Sequence, residues 1–229
     1  MLGDYVMNKK LFVNAIIKYL LGILIVSILL FVPAGTFNYW NAWLLIGLLF
    51  VPMFIACIIL MIKNPMLLKS RLEMKEKENE QKQVIIYSGL MFLSGFIIAG
   101  LNYRFSWITI SNNIIIIASI LFLLSYILYA EVLKENTYLS RTIEVKENQK
   151  VINTGFYSIV RHPMYFMTLL LFLTIPLILG SIISFVIFLI YPFIISKRIK
   201  NEEKLLERNL EGYKEYKKKV KYKLIPFVW

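Results

Sequence analysis

The stretch from Met164 to Ser196, MYFMTLLLFLTIPLILGSIISFVIFLIYPFIIS, decides the fold. It holds no charged residue, and as one helix it would run about 50 Å, against a hydrocarbon core of about 30 Å. Gly180-Ser181, preceded by Pro176, supplies the break, because glycine and proline favour a turn and weaken a continuous helix. Two arms of about 24 Å each result, which predicts a short helical hairpin that is tilted or spans incompletely.

Working outward, four more stretches are long and apolar enough to cross a bilayer: 11–32, 40–62, 84–101 and 113–130. Lys18 is the one charge inside them. With the hairpin they make an all-α, polytopic membrane bundle of about six spans. Lysine and arginine then alternate with the spans: two in residues 1–10, six in 63–83, five in 131–163 and eleven in 197–229. The opposite loops, 33–39 and 102–112, hold Arg104 alone. The positive-inside rule places both termini in the cytoplasm, whereas a single span over 164–196 would send the eleven C-terminal basic residues outside. The expected organisation is a membrane part, 1–135, with four spans, and a C-terminal region, 136–229, made of a loop, the hairpin and a basic tail.

Composition agrees. The chain has 229 residues, 59% hydrophobic and 17% charged, where a soluble domain runs about 45–50% apolar. The net charge of +12 is spread between apolar runs, which points to membrane lipids and not to nucleic acid. A lone cysteine, Cys57, excludes a disulfide framework and leaves no metal-ligand spacing. The first apolar stretch exceeds a signal-peptide core and no small-residue cleavage site follows, so it is expected to stay as a helix. Residues 64–83, with the run Glu-Met-Lys-Glu-Lys-Glu-Asn-Glu at 73–80, read as a solvated cytoplasmic helix or loop. High lysine, isoleucine and asparagine content suggests an A·T-rich prokaryotic genome.

Two segments flank the hairpin: residues 148–165, ending Arg161-His162-Pro163-Met164-Tyr165, and residues 197–203, Lys-Arg-Ile-Lys-Asn-Glu-Glu. A hairpin returns the chain to the side it left, so the two must meet. His162 is the one histidine. Pro163 suits a helix's first turn, which sets His162 by an N-terminus that attracts anions. Arg198 and Glu202 share a helix face at i, i+4. Interfacial anchoring, with Tyr157 and Tyr165 in an aromatic belt, and a surface ion pair are the alternative readings of these residues. Their enforced meeting at an apolar boundary favours a site.

At these residues the sequence resembles the isoprenylcysteine carboxyl methyltransferase family and its phospholipid methyltransferase relatives. The match is Gly155-x-Tyr157-x-x-x-Arg161-His162-Pro163-x-Tyr165, an apolar hairpin, Arg198-x-x-x-Glu202-Glu203, Tyr213-x-x-Tyr216 and Ile225-Pro226. Asn64-Pro65 with Arg71 is similar to a segment of bacterial members. The resemblance implies S-adenosyl-L-methionine as cofactor, enclosed at the cytosolic end of the helices, and a lipophilic acceptor that enters from the bilayer. It implies cofactor contacts at Gln149, Lys150, Val151 and Ile152, at Tyr157, at His162, Pro163, Met164 and Tyr165, and at Glu202. It implies that Arg198 lies on the acceptor side and that Arg161 orients the site or pairs with a carboxylate. Two features depart from the family: Leu210-Glu211-Gly212 replaces an aromatic-glycine-acid stretch, and the first two spans differ from those of the smallest members.

Methyl transfer from a sulfonium is an in-line displacement that asks mainly for positioning and exclusion of water. A carboxylate acceptor is ionised near pH 7 and needs a cation such as Arg198 or Arg161 to position it. An amine must first lose a proton, for which Glu202 and Glu203 are the nearest bases. The expected activity is carboxyl O-methylation of an isoprenylcysteine-like or other lipophilic acceptor, with catalytic roles for Arg161, Arg198 and Glu203. Amine N-methylation of a phospholipid and a membrane NADPH-dependent reductase are the alternative enzymes. A transporter is the non-enzyme alternative, but it would carry ionisable residues within its spans. No G-x-G-x-x-G loop is present, which speaks against a Rossmann site.

Overall fold

A computed structural model of the protein describes residues 2–72, 79–139, 145 and 148–229. The charged run over 73–80 falls outside the described residues up to residue 78. The helices are α1 (Leu2–Ala34), α2 (Trp40–Lys63), α3 (Pro65–Leu72), α4 (Asn79–Phe105), α5 (Asn112–Glu135), α6 (Pro163–Ile178), α7 (Ile182–Phe188), α8 (Tyr191–Asn209) and α9 (Tyr213–Lys219), with a 3₁₀ turn at Gly155–Ser158. Among the described residues, five helical stretches are long and apolar enough to cross a membrane: Lys9–Ala34, Trp40–Lys63, Gln81–Phe105, Asn112–Glu135 and Ile182–Asn209. The shorter apolar α6 accompanies them. The protein is a multi-pass membrane protein built as a helical bundle.

The outward residues give the physical reason. Leu20, Leu24 and Ile28 on α1 and Ile116, Ile120 and Ile127 on α5 are exposed, which lipid tolerates and water would not. Where helices touch, small residues allow close approach. A Cβ on Gly100 would lie 2.7 Å from the Leu30 carbonyl oxygen of α1, and one on Gly95 would lie 2.3 Å from the Phe188 ring of α7.

The hairpin turns where the glycine and serine require it. Gly180 has φ +74°, a conformation that other residues adopt only at a cost. Ser181 then caps α7 by accepting from the Ser184 amide at 3.2 Å. Side chains from the start of α2, the residue before it and the last turn of α4 hold this turn. Tyr39 donates to the Leu179 carbonyl at 2.6 Å, Asn41 to the Ile178 carbonyl at 2.8 Å, and Asn102 to the Gly180 carbonyl at 3.4 Å. The turn therefore lies at the end of the bundle that carries the poorly charged loops. α6 has 16 residues, about 24 Å, as the sequence predicts.

The second arm differs from a simple half-span. It breaks after Phe188 and restarts as α8, which runs on to Asn209. Pro192, in the first turn of α8, explains the break: a proline has no N–H to donate and would clash with the carbonyl of residue 188. α8 thus carries the chain out of the apolar layer and past the first charges without interruption. One apolar core runs from Leu30 through Phe122 and Ile178 to Leu224, so residues 1–135 and 136–229 pack as one body.

α3 closes the other end of the bundle. Asn64 caps it by accepting from the Leu67 amide at 3.0 Å, and Leu67 and Leu68 are buried beneath it, so the segment 64–83 is not solvated throughout: its first part is a helix with an apolar face under cover. Lys18, expected to reach toward an end of its span, donates to the Leu72 carbonyl at the C-terminal end of α3, where the helix dipole favours a cation.

Candidate active site

Pro163 begins α6 and fixes where His162 and Arg161 stand. Both backbones are pinned to the C-terminal tail. The Arg161 amide donates to the Tyr222 carbonyl at 3.0 Å and the His162 amide to the Lys223 carbonyl at 2.9 Å, beside a parallel bridge between Val160 and Tyr222. Buried amides need such acceptors.

The Arg161 side chain is buried and points away from solvent. Its Nε donates to Glu203 Oε1 at 2.6 Å, and its Nη1 donates to the carbonyls of Val220 and Lys221 at 2.7 and 2.8 Å. His162 Nε2 lies 3.3 Å from the same Glu203 oxygen, and Lys217 Nζ lies 3.7 Å from the other. Glu203 is thereby the hub that joins α6, α8 and the tail.

Glu202 points elsewhere, because successive residues on a helix are about 100° apart. Its carboxylate accepts from the Tyr165 hydroxyl, which in turn accepts from Arg198 Nε at 3.0 Å. The Arg198 guanidinium sits over the Tyr165 ring, 5.9 Å from its centroid, and the His162 ring stacks with it at 5.7 Å. The chain Arg198–Tyr165–Glu202 crosses from α8 to α6 and back.

These groups border a cleft of about 780 Å³, counting its open mouth. Gln149, Lys150, Val151 and Ile152 form one wall, and Tyr157, Arg161, His162, Met164 and Tyr165 another. Glu202 and Leu206 of α8, then Leu210, Tyr213 and Tyr216, make the third. Asn136, Tyr138 and Leu139, just past α5, complete it. Leu210-Glu211-Gly212, which differs from the pattern of the family the sequence resembles, still packs. Leu210, Tyr213, Tyr216 and Val220 bury one another against Val151 and Leu206, and Gly212 takes φ +78° to start α9.

Burial governs the tyrosines. It raises the hydroxyl of Tyr157 above its ordinary range even though Asn136 donates to it at 3.2 Å, and it raises those of Tyr213 and Tyr216 likewise. All three stay protonated near neutral pH. Tyr216 donates to the Tyr157 carbonyl at 2.7 Å. Tyr213 does not share this arrangement: its hydroxyl is buried with no hydrogen-bond partner among the described residues.

Of the residues singled out from sequence, Gln149 to Ile152, Tyr157, Arg161, His162, Met164, Tyr165 and Glu202 meet in the cleft. Pro163 is buried at the start of α6 and supports the wall without lining it. Arg198 reaches the cleft through Tyr165, and Glu203 sits behind it in the ion pair with Arg161. Sequence reasoning missed Asn136, Tyr138, Leu139, Leu206 and Leu210. Leu206 was legible, standing one turn from Glu202 on α8, whereas the residues past α5 carry no pattern of their own. Arg71, noted with Asn64-Pro65, also arrives at the edge. It donates to the Tyr129 hydroxyl and to the sulfur of Met164 at 3.7 Å.

Residues 113–208 match the model of the isoprenylcysteine carboxyl methyltransferase (ICMT) family. The matched segment runs from the first turn of α5 to the last turn of α8 and includes both segments that meet in the cleft. No curated protein matches the chain.

Proposed function

We propose that this chain, whose residues 113–208 match the ICMT family model, is a membrane methyltransferase that uses S-adenosyl-L-methionine to methylate the carboxylate of a lipophilic, isoprenylcysteine-like acceptor. The observation that carries the reading is the Arg198–Tyr165–Glu202 chain at the border of the cleft.

The residues of the cleft fit the donor's chemistry. Glu202 offers a carboxylate to a cationic or hydroxyl-bearing ligand, the 149–152 segment offers backbone, and Val151, Leu206 and Leu210 offer an apolar wall to a flat base. When bound, the donor supplies a sulfonium methyl; the acceptor oxygen forms the new C–O bond as the C–S bond breaks, its electron pair staying on sulfur to give S-adenosylhomocysteine. No proton moves if the acceptor is a carboxylate.

The protein's tasks are then to orient and to exclude water. α8 runs outward from the apolar layer, so Arg198 stands about 6 Å nearer that layer than Glu202, four residues on. A carboxylate arriving from the bilayer meets Arg198 first, while Glu202 serves the donor farther out. Tyr165 holds the two apart and keeps both in register. A base for an amine acceptor is poorly provided: Glu203 is committed to Arg161, and Glu202 already accepts from Tyr165. The basic segments gather at this end of the chain, which supports a cytoplasmic site.

The deciding experiment is calorimetric titration of the detergent-purified protein with S-adenosylhomocysteine, with NADPH in parallel. Saturable binding is expected for the first, weakened about tenfold to a hundredfold in Glu202→Gln, as for a lost hydrogen bond to a charged group. No binding to folded protein, or binding of NADPH instead, refutes the reading.

A further inference from the structure

Tyr213 opens α9 directly after Gly212, and its amide donates to the Leu210 carbonyl at 3.2 Å. Its ring is buried and lines the cleft, yet its hydroxyl has no hydrogen-bond partner among the described residues. Tyr216, one turn on, packs 5.7 Å away in the same cluster and does have one, the Tyr157 carbonyl at 2.7 Å. A native fold rarely leaves such a hydroxyl unsatisfied, because removing it from water without replacing the lost bond is costly. Burial also keeps the hydroxyl protonated, so it stands ready as a donor.

The surroundings say what it donates to. Val151, Leu206 and Leu210, three aliphatic side chains, pack around the two tyrosines, while Glu202, Glu203 and Arg161 act on the Tyr213 hydroxyl from the charged border. Against the three aliphatic side chains an ammonium, carboxylate or sugar would lose its hydration with nothing in return. A flat heteroaromatic base would cover its faces with the aliphatic wall and keep one edge for a hydrogen bond.

We propose that the Tyr213 hydroxyl donates to a ring nitrogen of the adenine of the S-adenosyl donor. The wall of Val151, Leu206 and Leu210 covers the base, and the charged border at Glu202 is left for the rest of the molecule. This rests on the methyl-donor reading above. Tyr213 binds and orients; it takes no part in the displacement.

The test compares Tyr213→Phe and Tyr216→Phe with wild type, measuring calorimetric affinity for S-adenosylhomocysteine and for 5′-methylthioadenosine, which keeps the base and lacks the amino acid. Thermal unfolding of the unliganded protein is followed alongside. Tyr213→Phe is expected to weaken both ligands about fivefold, the loss of one neutral hydrogen bond, without lowering the unliganded melting temperature. Tyr216→Phe should lower that temperature, since it removes a bond the free protein already makes. Affinities within twofold of wild type in Tyr213→Phe overturn the proposal, as does a loss confined to S-adenosylhomocysteine, which would move the hydroxyl to the amino-acid end. Wild-type protein that binds neither ligand refutes the donor reading itself. Independently of any variant's folding, one of the 1-, 3- and 7-deaza analogues of S-adenosylhomocysteine should bind wild type about fivefold more weakly; equal binding of all three overturns the assignment.

Discussion

Truncating Glu203 to alanine puts the architecture of the site to its hardest test. The Arg161 and Glu203 side chains retain 3% and 6% of their accessibility and lie 2.6 Å apart. Removing the carboxylate leaves the guanidinium with two carbonyl acceptors, Val220 and Lys221, but with no counter-charge in a place water does not reach. His162 loses its 3.3 Å partner as well. Lys217 is better off, being partly exposed and also paired with Glu207. Breaking a buried pair from one side costs about 3–5 kcal/mol. For a chain of this size each kcal/mol lowers the melting temperature by about 2–4 °C, so a fall of roughly 10 °C is expected. Tryptophan fluorescence in detergent reads it well, because Trp229 packs within 5.1 Å of Lys223 in the tail. Trypsin provides a second assay, since the tail held by Arg161 carries Lys217, Lys218, Lys219, Lys221 and Lys223. Glu203→Gln keeps the volume and one acceptor and should cost less. A Glu203→Ala protein that melts within about 2 °C of wild type, with no faster tail cleavage, would refute the account of Glu203 as the joint between α6, α8 and the tail.

Two further expectations concern the tyrosines. Tyr165→Phe removes the hydroxyl shared by Arg198 and Glu202, and should lower kcat/KM with an S-prenylated N-acetylcysteine about tenfold to a hundredfold; unchanged turnover would remove the tyrosine from the mechanism. Burial raises Tyr157, Tyr213 and Tyr216 above the unfolded value of about 10. Their neutral forms therefore stabilise the fold fully below about pH 10, and that stabilisation is lost as pH rises through the higher folded values. Melting temperature should hold to about pH 10 and fall above it, and Tyr216→Phe should leave the 295 nm absorbance change near pH 10 unaltered; a diminished change there would mean that Tyr216 ionises normally.

What the sequence made legible follows from where information is local. Apolar runs announced the spans, and Gly180-Ser181 announced the turn, because a positive-φ glycine and a capping serine act on their own neighbours. The meeting of residues 148–165 with 197–203 was legible for a topological reason, as a hairpin has one way to return. The break at Pro192 was equally local and was overlooked because the apolar run conceals it. Other features were beyond reach of pattern. Glu202 and Glu203 read alike, and their separation into a cleft carboxylate and a buried counter-ion depends on which face of α8 meets α6. The strapping of Val220 to Lys223 onto Val160 to His162 joins segments about sixty residues apart through backbone atoms, which no side-chain pattern records. Residues 64–83 read as a solvated helix or loop because their polarity is mixed, and the buried face of α3 shows only once Leu67 and Leu68 find cover.

That strap also sets an order of events during synthesis. The spans and the hairpin can enter the bilayer as each leaves the ribosome, but the cleft's third wall, from Leu206 to Tyr216, gains its anchor once Val220 to Lys223 have emerged and found Arg161 and His162. A growing chain is thus a membrane protein well before it has a place for a ligand, and binding competence is the last property it acquires.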